Sequence, residues 1–111
     1  MATTQTTLVE SKFLENIQTD QYVANNVKAI VDAAVLSNSG TSGVFVSVNI
    51  VPESTTTSTA NRFIPNRYFA PGDTYSCPEL VGQILRSGAK ISTIASAAST
   101  ITFRVSGREI S

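Results

Sequence analysis

The chain of 111 residues has no histidine and no tryptophan, one cysteine, and only 14% charged residues. Without histidine, the usual base for a serine or cysteine nucleophile is missing. One cysteine and no histidine also exclude ordinary zinc or copper ligation. A single thiol forms no internal disulfide, so packing and backbone hydrogen bonds must hold the fold. Eight basic residues balance eight acidic ones, which removes the basic surplus expected of a nucleic-acid binder. The start, "MATTQTTLVESKFLENIQTD", has neither a basic opening nor an apolar run. No stretch approaches the roughly 20 apolar residues of a membrane span. The expectation is a protein made in a cytoplasm, with no membrane or nucleic-acid partner and no cofactor.

Chemical motifs are equally scarce. The acids are scattered, so nothing brings Asp73, Glu79 or Glu109 together as a calcium loop or a glycosidase pair. Gly82 and Gly88 belong to no phosphate-binding pattern and read as turn residues. "PGDT" around Asp73 reads as a turn in which the aspartate bonds to nearby backbone. Cys77 stands in Ser76-Cys77-Pro78-Glu79, the S-x-x-E spacing of a capping box, and a helix amino terminus lowers a thiol pKa. With no base available, the simpler reading is a small, half-buried hydrophobe beside a turn.

What the chain does contain is strand pattern. Hydrophobic residues make up 41%, and much of the polar remainder is Ser and Thr, which suit strands and turns better than helix interiors. That mix resembles extracellular or particle-bound β proteins. "GVFVSVNIV" alternates at period two, with Val44, Val46, Val48 and Ile50 facing the core. "ITFRVSG" does the same through Ile101, Phe103 and Val105. "AKISTIAS" supplies another strand, and "ESTTTSTAN" between Glu53 and Asn61 is an exposed, mobile polar loop. "NRFIPNRYFAP" holds Pro65 and Pro71, which places it at a sheet edge.

The segment "NNVKAIVDAAVLSNSG" supports two readings. Val27, Ile30, Val31, Ala34 and Val35 fit a helical stripe, whereas a strand puts Ala29, Val31, Ala33 and Val35 on one face. The following "SNSGTSG" suits a hairpin into the next strand and favours the strand. The expected core is Val31, Val35, Val46, Val48, Ile50, Ile84, Ile91, Ile101, Phe103 and Val105. The whole reads as one all-β domain, a jelly-roll-like sandwich of about eight short antiparallel strands. Residues 1–20 form a polar amino-terminal arm and first strand with scope to extend onto a neighbour, and 21–111 form the sandwich. Arg62, Phe63, Arg67, Tyr68 and Phe69 gather within eight positions and are the candidate protein interface, because Arg and aromatics are enriched where proteins meet.

The order of these segments resembles the small β-sandwich virion proteins of tailed bacteriophages, found as capsid decorations, head fibres or tail-associated modules. The resemblance begins with "TTL" at Thr6 to Leu8 and "YVANNVKAIVDAAVLSNSGTSGVFVSVNIV", similar to a first pair of long strands joined by an Asn/Ser/Gly turn. It continues through "NRFIPNRYFAPGDTYSCPELVGQILRSGAKIS" and closes with "SAASTITFRVSGREIS". The long Thr-rich loop after Pro52 departs from the pattern, as does Cys77, where an aliphatic residue fits better. The resemblance implies that Val27 to Leu36 is a strand. It further implies a non-enzymatic building block of the virion, whose partners are the major capsid protein or other virion structural proteins and copies of itself, as a trimer. Decoration or cement of the head is the leading role, and a tail, neck or baseplate component is the alternative. From a different class comes a carbohydrate-binding module that stacks host sugars on Arg67, Tyr68 and Phe69.

Overall fold

The computed structural model describes residues 3–111. Among them are nine strands: β1 (Thr3–Phe13), β2 (Thr19–Val23), β3 (Lys28–Asn38), β4 (Val44–Val51), β5 (Arg62–Phe69), β6 (Thr74–Tyr75), β7 (Ile84–Leu85), β8 (Lys90–Ala95) and β9 (Ile101–Ile110). A 3₁₀ turn, Thr59–Asn61, precedes β5. One sheet runs β1-β9-β3-β6, with β7 also pairing to β3, and the other runs β2-β8-β4-β5. Every pairing is antiparallel.

Almost every connection crosses from one sheet to the other. β4 and β5 are joined within a sheet, and β6 and β7 lie in line along β3 as two halves of one strand position, against Leu36–Ser37 and Ala29–Ile30. Counting those halves once gives eight strand positions in two four-stranded layers, the order of a jelly roll. The all-β sandwich expected from the sequence is therefore the architecture present. The hairpin expected at "SNSGTSG" is not, because β3 and β4 belong to different sheets. Asn38 turns the chain there: its Nδ2 donates to Ser42 O and Phe69 O, each at 3.0 Å, and its Oδ1 accepts from Gly40 N at 2.9 Å.

The core lies between the layers. Val46, Val48, Ile91, Ile101, Phe103 and Val105 are fully buried as the alternation predicts, and Val31 and Ile50 are buried with them. Two expected core residues are not. Val35 is 39% exposed and Ile84 58% exposed, while Leu36 and Leu85 beside them are fully buried. In β3 the cause is a register shift against β9 between Val31 and Ala33. One extra residue exchanges the two faces, so Ala29 and Val31 point inward before it and Ala34 and Leu36 after it. Opposite this irregularity stands Gly107, where a Cβ would fall 2.1 Å from Ile30 O. Only glycine admits so close a backbone.

The amino-terminal segment is a strand of this sandwich. β1 pairs with β9 of its own chain from Thr3↔Ile110 to Phe13↔Thr102, and Leu8, Val9 and Leu14 reach the core. β5 is the edge strand that Pro65 predicts, and Pro71 lies just beyond it. Its pairing with β4 skips from Val46↔Arg67 to Val48↔Ile64, leaving Pro65 and Asn66 opposite Ser47. Asn66 takes a φ of 44° in this bulge and its N–H donates to Ser47 Oγ at 2.8 Å.

Candidate functional site

The five residues of the sequence cluster do not form one surface. Phe69 is 1% exposed, in the core, and Phe63 packs partly buried against it. Arg62 Nε reaches Asn49 Oδ1 at 3.5 Å. The bulge and the strand alternation leave Tyr68 facing outward, 53% exposed. Its partner is Phe45, directly opposite on β4 and 43% exposed, a residue the sequence reading passed over. The two ring centres are 5.1 Å apart with planes tilted by 56°, within the range of favourable aromatic pairs. A shallow groove beside them is lined by Asn16, Asn66, Ile94 and Ser96.

Arg67 points another way. Its guanidinium carbon is 3.7 Å from the centre of the Tyr75 ring, and the Tyr75 hydroxyl donates to Glu79 at 2.5 to 2.6 Å. The hydrogen bond to Glu79 holds the Tyr75 phenol above its ordinary pKa. This stack joins β5 of one sheet to β6 of the other.

The outer faces of the two sheets differ in chemistry. Across β1, β9 and β3 run exposed ion pairs, Arg104–Glu10 at 3.6 Å and Arg108–Asp32 at 3.0 Å. On β4 and β5 the corresponding outward positions hold Phe45 and Tyr68. Phe13, Ile17, Val23, Val35, Val81 and Ile84 are exposed as well; Phe45 and Tyr68 differ from them in forming a paired aromatic surface, the kind of side chain enriched where proteins meet.

Cys77 is not arranged for chemistry. It lies in the connection between β6 and β7, fully buried, with a φ of 49° that no helix accommodates. Its Sγ points to Tyr75 O at 3.6 Å. Burial, with Glu79 adding repulsion, pushes the thiol up to about 12, so the nucleophilic thiolate is suppressed at neutral pH. The half-buried hydrophobe expected from the sequence is thus a fully buried one. Asp73 closes a turn as expected, accepting Ala70 N at Oδ2 (2.8 Å). No group of three or more His, Cys, Asp or Glu gathers among the described residues.

The Thr-rich loop is exposed along most of its length and anchored at one end. Asn49 Nδ2 donates to Asn61 Oδ1 at 2.7 Å and to Ser58 O at 2.9 Å, and Asn61 Nδ2 donates to Thr56 O at 3.0 Å. Both asparagines are buried. Comparison with family models, with curated proteins and with solved structures gives no match.

Proposed function

We propose that the chain is a non-enzymatic structural subunit of a tailed-bacteriophage virion, a decoration or cement protein that binds the head shell as an oligomer. The observation that carries the proposal is the exposed Phe45–Tyr68 pair on the outer face of the four-stranded sheet. The order of strand and turn segments supports it through its resemblance to small virion sandwiches. Jelly rolls recur in viral shells, an analogy of fold that does not by itself assign a function. The partner in this reading is the major capsid protein or another virion structural protein, and no catalytic residue, cofactor, nucleic acid or membrane is assigned a part.

A stable contact with a shell buries about 1,200 to 2,000 Å² in total and rests on a few aromatic or arginine anchors. Phe45 and Tyr68 are those anchors. The test is to measure binding of the purified chain to shells assembled by the phage that encodes it. Tyr68→Ala is expected to weaken binding by about 30-fold or more, the equivalent of a 2 kcal/mol hot spot. Unchanged binding removes the proposed face.

Jelly rolls also serve as lectins, and the same two rings form a stacking platform for sugar. In that reading Phe45 replaces Phe69, whose burial removes it from any platform. A glycan-array signal abolished by Phe45→Ala selects this second function over shell binding.

A further inference from the structure

A sheet edge exposes unpaired backbone donors and acceptors, and most edges of this sandwich are blunted. β5 carries Pro65 and the Asn66 bulge. β2 has five residues with a register shift between Asp20 and Tyr22. β6 and β7 are two residues each. All three are recognised ways of keeping a foreign strand away.

The first half of β1 has no such protection. Thr3 to Thr7 pair residue for residue with Ile110 to Ser106, and register shifts begin only after Thr7. The stretch contains no proline and no charge, while Glu10 and Lys12 stand in the irregular half of the strand. Thr3, Thr4 and Gln5 are exposed. The sequence of this edge, Thr-Thr-Gln-Thr-Thr, is a palindrome centred on Gln5.

We propose that Thr3–Thr7 is a docking edge for a second copy of this chain, the two β1 strands pairing antiparallel about a two-fold axis at Gln5. A second copy is the occupant because, paired about Gln5, this uncharged stretch meets only Thr–Thr and Gln–Gln pairs, which suit neighbouring strands. In that register Thr3 faces the other Thr7, Thr4 faces Thr6, and Gln5 faces itself, so every cross-strand pair is matched in size and free of like charge. The alternating ladder supplies about four to six backbone hydrogen bonds, depending on which residues point outward. The two β1-β9-β3 sheets then become one continuous sheet, and Phe45 and Tyr68, on the other layer, stay free. The symmetry is two-fold in place of the trimer that the resemblance implies. The pairing holds whether or not the chain belongs to a virion.

Sedimentation velocity on the full chain, across a concentration series, tests this pairing with two substitutions at the axis. Gln5 is exposed and lies opposite Arg108, whose charge Asp32 already engages, so Gln5→Lys and Gln5→Glu are expected to leave the fold intact, as circular dichroism checks. The wild-type chain is expected to be a dimer that dissociates on dilution. Each variant alone places like charges across the axis and raises the dissociation constant about tenfold or more. Mixing the two variants in equal amounts is expected to restore the dimer. A wild-type chain that stays monomeric up to about 1 mM, one that forms trimers, an oligomer indifferent to both substitutions, or a mixture that stays monomeric overturns the proposal.

Discussion

Tyr68 lies across Gly43, so close that a Cβ on the glycine would fall 2.1 Å from the Tyr68 Oη and 2.5 Å from Cε1 and Cζ. The glycine immediately precedes β4, and Phe45 two residues later flanks the same ring. The outward aromatic is therefore seated on backbone instead of swinging free. An anchor with few rotamers left to lose is the kind that contributes most at an interface.

Gly43→Ala is expected to displace the Tyr68 ring without removing it. The ring is the exposed end of a side chain and can move aside, so the stability change is within about 1 kcal/mol. Shell binding is expected to fall nearly as far as in Tyr68→Ala. Denaturation and binding measured on the same two variants check this, and a Gly43→Ala chain with full binding contradicts it.

Alkaline pH is expected to destabilise the fold through two neutral acids. Burial raises Cys77 from the ordinary 9.0 to about 12. It also raises Tyr22 above its ordinary 10.0, assisted by the hydrogen bond the phenol donates to Glu109 at 2.5 Å. Both folded-state pKa values lie above the unfolded ones, so the stabilisation is complete below about pH 9 and is lost as pH rises from 9 toward 12. Urea denaturation from pH 8 to 11 should show this decline, with a shallower slope in Cys77→Ala. An identical slope in the variant contradicts the assignment.

Asn61→Ala is expected to loosen the Thr-rich loop. The substitution strips Asn49 Nδ2 of one acceptor and frees Thr56 O and Ser58 N. Lost bonds at buried polar groups cost about 1–3 kcal/mol. Faster amide exchange across residues 54–60, with β9 protection ranked above it as before, is the expected signature.

Arg67→Ala is expected to cost about 0.5–1 kcal/mol, the range for an exposed cation over an aromatic ring. It removes the stack on Tyr75 that bridges the two sheets. A loss of this size in thermal denaturation, with shell binding unchanged, separates Arg67 from Tyr68 although the two are adjacent in sequence.

Much of the fold was legible where a strand keeps strict alternation over its core face. β9 buries Ile101, Phe103 and Val105 as its pattern says, and Pro65 in β5 marks an edge. Val35 was misplaced because the face reversal in β3 depends on how it registers with β9, where its partner is Arg104, and no local pattern carries that. The hairpin at "SNSGTSG" failed for a related reason. A short turn-rich link serves a crossing between layers as well as a turn within one, and the buried Asn38 amide that decides between them looks like any loop asparagine in sequence. The interface cluster was half legible. Adjacent aromatics at Tyr68 and Phe69 must face opposite ways in a strand, yet which one is buried is set by the Pro65–Asn66 bulge. Phe45 carried a usable signal: it is the large aromatic in the off-phase of an otherwise aliphatic alternation, where a solvent-facing strand position is normally polar. The S-x-x-E spacing at Cys77 starts no helix, because the left-handed backbone there belongs to a turn, in line with the reading of Cys77 as a hydrophobe beside a turn.

The most direct measurement of the proposed decoration role is the copy number of this chain in purified particles of the proposed parent phage, by quantitative mass spectrometry against the major capsid protein. A decoration subunit is expected in numbers comparable with the shell subunit. Absence from the particle, or only a handful of copies, contradicts the account.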